Sequence, residues 1–543
     1  MKDAQPHVLM VAAECRDLAK VGGLGDVVRD LAKALKILET PVSIVMPCYD
    51  KVQHPAEPID SFPVLFGTRD NWPVKIFMRE LDGVPVYLLR SEEFFGGEYG
   101  EVYIDSDRLG RGPFEDDAQR FAFFSAATLE FMQKYSELHK ISALHCHDWH
   151  TGVLLVLLKH DSRYRRLAST LQTLFTIHNL DYQGVRPFES SGGRDLLSFA
   201  EWFPALYHDL KVTGDLEPLS DPHTPIPCFN PMRAGIILAD KVNTVSPKYA
   251  MEITQPDDPA RNFVGGRGLE GDLDCCSGQL YGILNGLDYE LYDPSRLAPP
   301  FDTNIKGWQS ARRQHKMSLL EGLPQYLQEM ASRLGNSFKN RDSVLRKMST
   351  YQPDDWKEKL LVVAVTRAVR QKVSILLEAL DGAGSVLQET LKRDIRLIVL
   401  GTGELEKQLE EINRWPNGLF VCAFDAKFAD QLYAGGDIFL MPSDFEPCGI
   451  SQMIAMRYGC LPLVPDIGGL SNTVQDMQTG FVYRGADRPA ACRALLDTLD
   501  KAVGYYANHR AKWADMQAQA MNARFEWTSS AKEYIELYTR QKP

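Results

Sequence analysis

The sequence predicts an α/β protein whose parallel strands and helices alternate into doubly wound sheets, and three observations carry that prediction. Apolar runs of strand length recur along the chain, among them Val8 to Ala13, Thr173 to Ile177, Leu360 to Val365 and Leu397 to Leu400. Their unbroken hydrophobicity is that of strands covered on both faces. Most are followed by a polar or glycine-bearing turn and then by apolar residues at helical spacing, so strand, turn and helix repeat in that order. The 543 residues exceed what one core ordinarily supports and fit two large domains. These are expected at residues 1–250 and 251–520, with residues 521–543 as a closing helical segment.

Composition removes several function classes. Apolar residues at 44% and charged residues at 24% are values of an ordinary soluble globular protein. No run reaches the roughly 18 uncharged apolar residues of a membrane span. Met1 to Val8 passes into a strand without a signal-type apolar stretch, so a cytoplasmic protein is expected. A formal net charge of −12 argues against nucleic acid as a partner. Ten cysteines are scattered without a C-x-x-C pair, which is neither a disulfide framework nor a zinc pattern, and they are read as reduced.

In order, the first strand leads to Lys20-Val-Gly-Gly-Leu-Gly-Asp26 and a helix marked by Val27, Leu31, Ala34 and Leu35. Gly22, Gly23 and Gly25 let the backbone turn tightly at a helix start, where Lys20 can meet an anion; a tight turn with a solvated lysine reads equally well. Strands follow at 41–47 and 84–89, then a surface excursion over 93–115 and a buried helix over 118–132. His145, His147 and His150 invite a metal reading. On a strand 145 and 147 share a face, but the turn at Asp148 redirects 150, so a strand end delivering Asp148 to the sheet's carboxyl edge is the better reading. His178 and Asn179 end the next strand in the same way, residues 186–227 read as loop, and a helix runs into a strand over 234–247.

The run at 280–286 is expected to open a new set of strands. Residues 302–357 carry Met317, Leu319, Leu320, Leu323, Leu327 and Met330 at helical intervals and read as helices. Past the strand ending at Arg367, a helix is expected over 373–380. Arg367, Arg370 and Lys372 cluster at that strand end, where cations oppose the helix dipole unless an anion shares the place. The strand before Gly401 and Gly403, the strand at 419–422 and the strand before Gly468 and Gly469 continue the alternation, with helices at 487–503 and 529–538. The central stretch is Asp437 to Gly459: strand, loop, then a helix over about 448–458. Glu446 lies in that loop, where local pattern alone favours a helix-capping acid over an acceptor for sugar hydroxyls. Cys448 at the same helix start reads equally as an activated thiol or as a small packed residue.

Seven segments in this order, Lys20-Val-Gly-Gly-Leu, His147-Asp-Trp-His-Thr-Gly, Thr176-Ile-His-Asn-Leu-Asp-Tyr-Gln-Gly, Leu284-Asn-Gly-Leu-Asp-Tyr, Thr366-Arg-Ala-Val-Arg-Gln-Lys, Pro442-Ser-Asp-Phe-Glu-Pro-Cys-Gly and Gly468-Gly-Leu, resemble the bacterial glycogen synthase and plant starch synthase family. The resemblance runs from about residue 7 to 538. It implies a glycosyltransferase-B architecture, two doubly wound Rossmann-like domains facing across a cleft with the last helix returning to the first. It implies transfer of glucose from ADP-glucose to the non-reducing end of an α-1,4-glucan, with retention and without a metal or other cofactor. The partners implied are therefore the nucleotide sugar and the glucan. On the resemblance, Lys20, Gly22 and Gly23 meet the donor phosphates and sugar, and Asp26 supports their loop. Arg367 and Lys372 hold the diphosphate, while Glu446 and the amides after Cys448, at Gly449, serve the donor sugar. Asp148, His178 and Asn179 face it from the first domain, and Gly401, Gly403, Gly468 and Gly469 line the substrate.

Three positions depart from the family pattern: Val373 stands where Gly is usual, Asn472 where Asp is usual and Asp117 where Asn is usual, and residues about 324–355 run longer. Two other functions compete: a glucan-binding or regulatory paralogue without turnover, and a transferase using UDP-glucose.

Overall fold

A computed structural model describes residues 5–104, 115–135, 138, 140–190, 197–380, 382 and 384–539. Residues 105–114 of the expected excursion, 191–196 of the expected loop, and both extreme ends of the chain lie outside them. The chain forms two units, one of Met1–Asp257, Gly265–Gly286 and Glu526–Pro543, the other of Asp258–Val264 and Leu287–Phe525.

The first unit is built on nine strands: β1 Val8–Val11, β2 Val42–Pro47, β3 Asp60–Phe66, β4 Arg69–Leu81, β5 Val84–Arg90, β6 Ala143–His147, β7 Gln172–Ile177, β8 Lys241–Thr244 and β9 Leu280–Gly282. Their order in the sheet is β9-β8-β7-β6-β1-β2-β5-β4-β3. β1, β2, β6 and β7 are buried throughout, as their uninterrupted apolar runs require. The sheet is not wholly parallel: β3, β4 and β5 pair antiparallel. β3 buries only Phe62, Val64 and Phe66, the alternation of a strand with one face in water. The run at 280 does not open a new sheet. β9 pairs in parallel with β8, Val242 opposite Leu280, so residues 265–286 belong with the first unit and not beyond a boundary at 250. The loop-rich stretch contains a helix, Pro204–Thr213, begun by its proline and ended by Gly214 in the left-handed region at φ 83°.

The last helix, Trp527–Tyr538, buries Trp527, Ala531, Tyr534, Leu537 and Tyr538 in the first unit's core and packs on the helix Gly23–Ile37. Polar groups fix its seat. Tyr538 donates to His145 Nδ1 (2.9 Å), His145 Nε2 lies 2.6 Å from Thr176 Oγ1, Thr176 donates to Asn243 Oδ1 (2.6 Å), and Asn243 Nδ2 donates to the Tyr534 hydroxyl (3.0 Å). Each buried group thus has a partner, as burial demands.

The second unit has six parallel strands, β10 Leu360–Val365, β11 Ile395–Leu400, β12 Gly418–Val421, β13 Ile438–Leu440, β14 Leu461–Pro465 and β15 Phe481–Tyr483, in the order β12-β11-β10-β13-β14-β15. Residues 308–334 form one helix that buries Leu319, Leu320, Leu323, Leu327 and Met330; shorter helices follow at Arg341–Met348 and Asp354–Lys357. Lys316 on the long helix is buried with its ammonium on Asp437 (2.6 Å), the Lys359 carbonyl (2.6 Å) and the Tyr506 hydroxyl (3.0 Å), which ties the helix to the start of β13. The helix expected at 373–380 is only the turn Arg370–Val373 and a 3-10 turn, Ser374–Leu377. Tertiary contacts override the helical pattern there: Ser374 is drawn to Asp444 and Arg488. A helix at Arg510–Asn522 lies between the two expected near the end of the chain.

Candidate active site

In each unit the strand order reverses once near the middle, between β10 and β13 in the second and at β1 and β6 in the first. Loops leaving the strands' carboxyl ends part there, which is where open α/β sheets take ligands.

In the second unit the loops after β10 and β13 are clasped together. Gln371 Nε2 donates to the Phe445 carbonyl (3.2 Å), the Asp444 amide donates to the Gln371 carbonyl (2.8 Å), and Arg488 bonds Asp444, Ser374 and Glu378. Burial pushes the Asp444 carboxyl up against the pull of Ser374 and Arg488. Within this frame Lys372 and Glu446 form an ion pair with little solvent on either side chain, and Ser443 donates to Glu446 Oε2 (3.2 Å). Glu446 is therefore no helix cap: its carboxylate faces Lys372, and the following helix starts only at Ser451. That delay also places Cys448 short of the helix, buried at 3% exposure, where a Cβ on Gly469 would stand 2.3 Å from its Cα. The packed reading of Cys448 fits this environment. Gln452 Nε2 holds the Cys448 and Gly449 carbonyls (3.1 and 3.0 Å), and Gly449 sits at φ +76°, conformationally a glycine position.

Arg367 is different. It is exposed, and its guanidinium makes no ion pair or hydrogen bond among the described residues. Arg370 and Lys372 do have anions nearby: Glu404 accepts from the Arg370 amide (3.1 Å), and Glu446 takes Lys372. Gly401 and Gly403 have a backbone reason to be glycine, because a Cβ would lie 1.7 Å from the Thr366 carbonyl oxygen and 2.6 Å from that of Ala368. Val373, the departure at the end of that turn, is buried at 1% exposure at φ −135°, ψ 2°, a negative φ that does not call for glycine. It faces the core and not the cation cluster. Asp117, another departure, is buried against Arg120 Nη1 at 2.6 Å. Missed by the sequence reading is Phe424, 84% exposed just past β12 at the same carboxyl edge; an aromatic ahead of the helix-capping Asp425 was the available signal.

In the first unit the glycine loop is internally neutralised. Lys20 Nζ lies 2.5 Å from Asp26 Oδ2, and Asp26 also meets Arg16 (3.3 Å). The Val21 and Gly22 amides donate to Glu14 Oε2 (2.6 and 2.8 Å), a partner the sequence reading missed; Gly23 begins the helix Gly23–Ile37. At the end of β6, Asp148 adopts φ 55°, ψ −178°, a conformation that non-glycine residues rarely enter. Its Oδ1 accepts from the amides of His178 (2.6 Å) and Asn179 (3.5 Å), yet burial pushes its carboxyl up to about 8. Burial likewise lowers His178 to about 3, so its ring is neutral, with Nε2 3.0 Å from His147 Nδ1. Asn179 uses Oδ1 on the Asp181 amide (3.0 Å). The rings of His145 and His147 lie 4.0 Å apart, but the three histidines at 145, 147 and 150 do not point their nitrogens at one place: they meet Tyr538 and Thr176, His178, and Tyr103 respectively. Among the described residues no group of three or more His, Cys, Asp or Glu could hold a metal ion.

Residues 7–274 match the starch synthase catalytic domain model, and residues 357–501 match glycosyl transferases group 1. Glycogen synthases of Clostridioides difficile (strain 630) and Streptococcus sanguinis (strain SK36) are each 34% identical over 98% of this chain and 98% and 99% of their own lengths. The chain belongs to the glycogen synthase and starch synthase family. The catalytic domain of starch synthase IV from Arabidopsis thaliana, solved bound to ADP and acarbose, is 28% identical with a TM-score of 0.72 and covers 98% of this chain and 99% of its own. A sucrose-phosphate synthase from Thermosynechococcus elongatus, 16% identical at a TM-score of 0.53, shares the fold. This glycogen synthase relative is thus a glycosyltransferase of the two-domain glycosyltransferase-B type. No helix among the described residues is long and apolar enough to cross a membrane.

Proposed function

We propose that this glycosyltransferase moves glucose from ADP-glucose to the non-reducing 4-hydroxyl of an α-1,4-glucan with retention of configuration and without a metal. The observation that carries the reading is an exposed Arg367, without an ion pair or side-chain hydrogen bond among the described residues, beside the loop that carries the sheltered Lys372–Glu446 pair at the switch point of one sheet. Fixed positive charge at a strand end is what a departing diphosphate needs when no cation is present. Arg367 meets phosphate oxygens directly; Lys372 keeps two further N–H donors after serving Glu446. Glu446 and Asp148 accept from glucose hydroxyls, the Nδ2 amide group of Asn179 donates to one, and the neutral His178 ring offers its other nitrogen, while Lys20 adds charge beside the phosphates. Phe424 offers a flat apolar face to the adenine. The Arabidopsis relative's complex with ADP and acarbose supports a donor of this kind.

In the step itself the bond from C1 to the β-phosphate oxygen breaks, and its electrons leave on ADP. The acceptor 4-hydroxyl attacks C1 from the same face and gives its proton to the leaving phosphate. Glu446 is already engaged with Lys372, so a covalent glucosyl intermediate is not expected on it; a trapped carboxylate adduct would overturn this route. The test is incubation of the purified chain with ADP-[14C]glucose and glycogen. Label should enter polymer, and a tenfold excess of unlabelled UDP-glucose should leave incorporation unchanged. Glucan binding without incorporation would mean a paralogue that has lost turnover.

A further inference from the structure

The proposed donor site leaves one buried carboxylate unused. Glu14, 2% exposed, follows β1 and lies ahead of the glycine loop. Its Oε2 accepts both the Val21 amide (2.6 Å) and the Gly22 amide (2.8 Å), and its Oε1 accepts the Tyr103 hydroxyl (2.8 Å). The same hydroxyl lies 3.1 Å from His150 Nε2. His150 leaves the carboxyl end of β6 two residues after Asp148, and β6 pairs in parallel with β1, Val8 opposite Ala143. The two neighbouring strand exits at the first sheet's switch point are therefore joined through one carboxylate.

Consecutive amides at a helix start commonly hold an anionic ligand. Here the chain's own carboxylate fills that place, so a donor phosphate has only Lys20 and the start of the helix at Gly23 left to meet. We propose that Glu14 is a positioning residue: it fixes the Lys20–Gly23 loop against Tyr103 and His150, so that the Lys20 ammonium is presented to the donor in one geometry. The inference rests on the reading of Lys20 as donor-facing given above. Loosening the loop should cost donor affinity more than it costs the fold, because helix Gly23–Ile37 is held independently by its buried face.

The test compares Glu14→Gln and Tyr103→Phe with the parent chain. Glutamine keeps the size but presents an NH2 group on one side, so it cannot accept from the amides and from Tyr103 together. In Glu14→Gln, KM for ADP-glucose should rise about tenfold with the melting temperature unchanged, and Tyr103→Phe should shift KM in the same direction by roughly threefold. Amide hydrogen exchange at Val21 and Gly22 should quicken by about tenfold in Glu14→Gln, with the rest of the first unit unaffected. A fall in Vmax at parental KM with a lowered melting temperature would mean a purely structural carboxylate, and would overturn the proposal. A lowered KM would mean that Glu14 competes with the donor for the amides, and would overturn it too. If the parent chain itself fails to use ADP-glucose, the donor reading falls; unchanged exchange at the two amides overturns the positioning role whatever the donor.

Discussion

The glycine loop of the first unit and the β10 exit of the second both place a cation in the turn that follows a strand, yet they handle its charge in opposite ways. Lys20 is matched by Asp26, and the loop amides by Glu14, before any ligand arrives. At the second place Lys372 has Glu446, but Arg367 stands exposed without an anion among the described residues. An exposed cation without a counter-ion adds little to folding. Its place in an otherwise well-paired neighbourhood points to a ligand, whereas a matched loop is compatible with holding its own shape. On the proposed function, the contrast assigns most of the electrostatic work on the diphosphate to the second unit.

The sharpest way to break that contrast is Arg367→Ala. Incorporation of glucose should fall about a thousandfold in kcat/KM, roughly 4 kcal/mol of transition-state stabilisation, with no loss of thermal stability; initial rates and a melting curve together decide it. Lys372→Ala should lower activity comparably but also destabilise by about 3 kcal/mol, since Glu446 is left buried without its cation, and a urea titration reads that cost. In the first unit the effect to look for is one of pH. The Asp148 carboxyl keeps its proton up to about 8 in the folded chain, far above the ordinary carboxylate value. The folded state then holds more protons than the unfolded state across that window, and stability is lost as pH rises through it. Between pH 6 and 9 the loss should be about 2–3 kcal/mol, and Asp148→Asn should remove it; denaturant midpoints at the two pH values measure it. Smallest should be Lys20→Ala, a half-exposed and already matched cation, at about a tenfold rise in donor KM. If Lys20→Ala matched Arg367→Ala, the division of labour between the two places would be wrong.

How much of this was legible in the sequence follows from what each signal encodes. Uninterrupted apolar runs such as Val8 to Val11 and Leu360 to Val365 declare a strand buried on both faces, so the parallel strands could be read. β3 and β4 could not be read in that way, because their half-exposed alternation includes Pro63 and Pro73, which face each other across the pair and interrupt the strand pattern. The run at 280–286 was placed in the wrong sheet because strand length and hydrophobicity carry no information about partners. In the site, residue types at strand ends were visible, but pairings were not: Glu446 with Lys372 spans 74 residues, and Glu14 with the loop amides needs a fold in which the chain turns back on itself. The Val373 departure shows the converse. It looked consequential as a missing glycine and proves to be a core residue.

The closing helix has a consequence for how the chain is made. Tyr538 lies 393 positions from His145, and Tyr534 lies 291 from Asn243, yet both complete the polar lattice beneath the first sheet. On the ribosome, strands emitted early must wait with that surface uncovered until translation has passed through the whole second unit. A nascent or prematurely stopped polypeptide would therefore expose an unfinished interior, and cellular quality control could distinguish it from a completed molecule by that uncovered face alone.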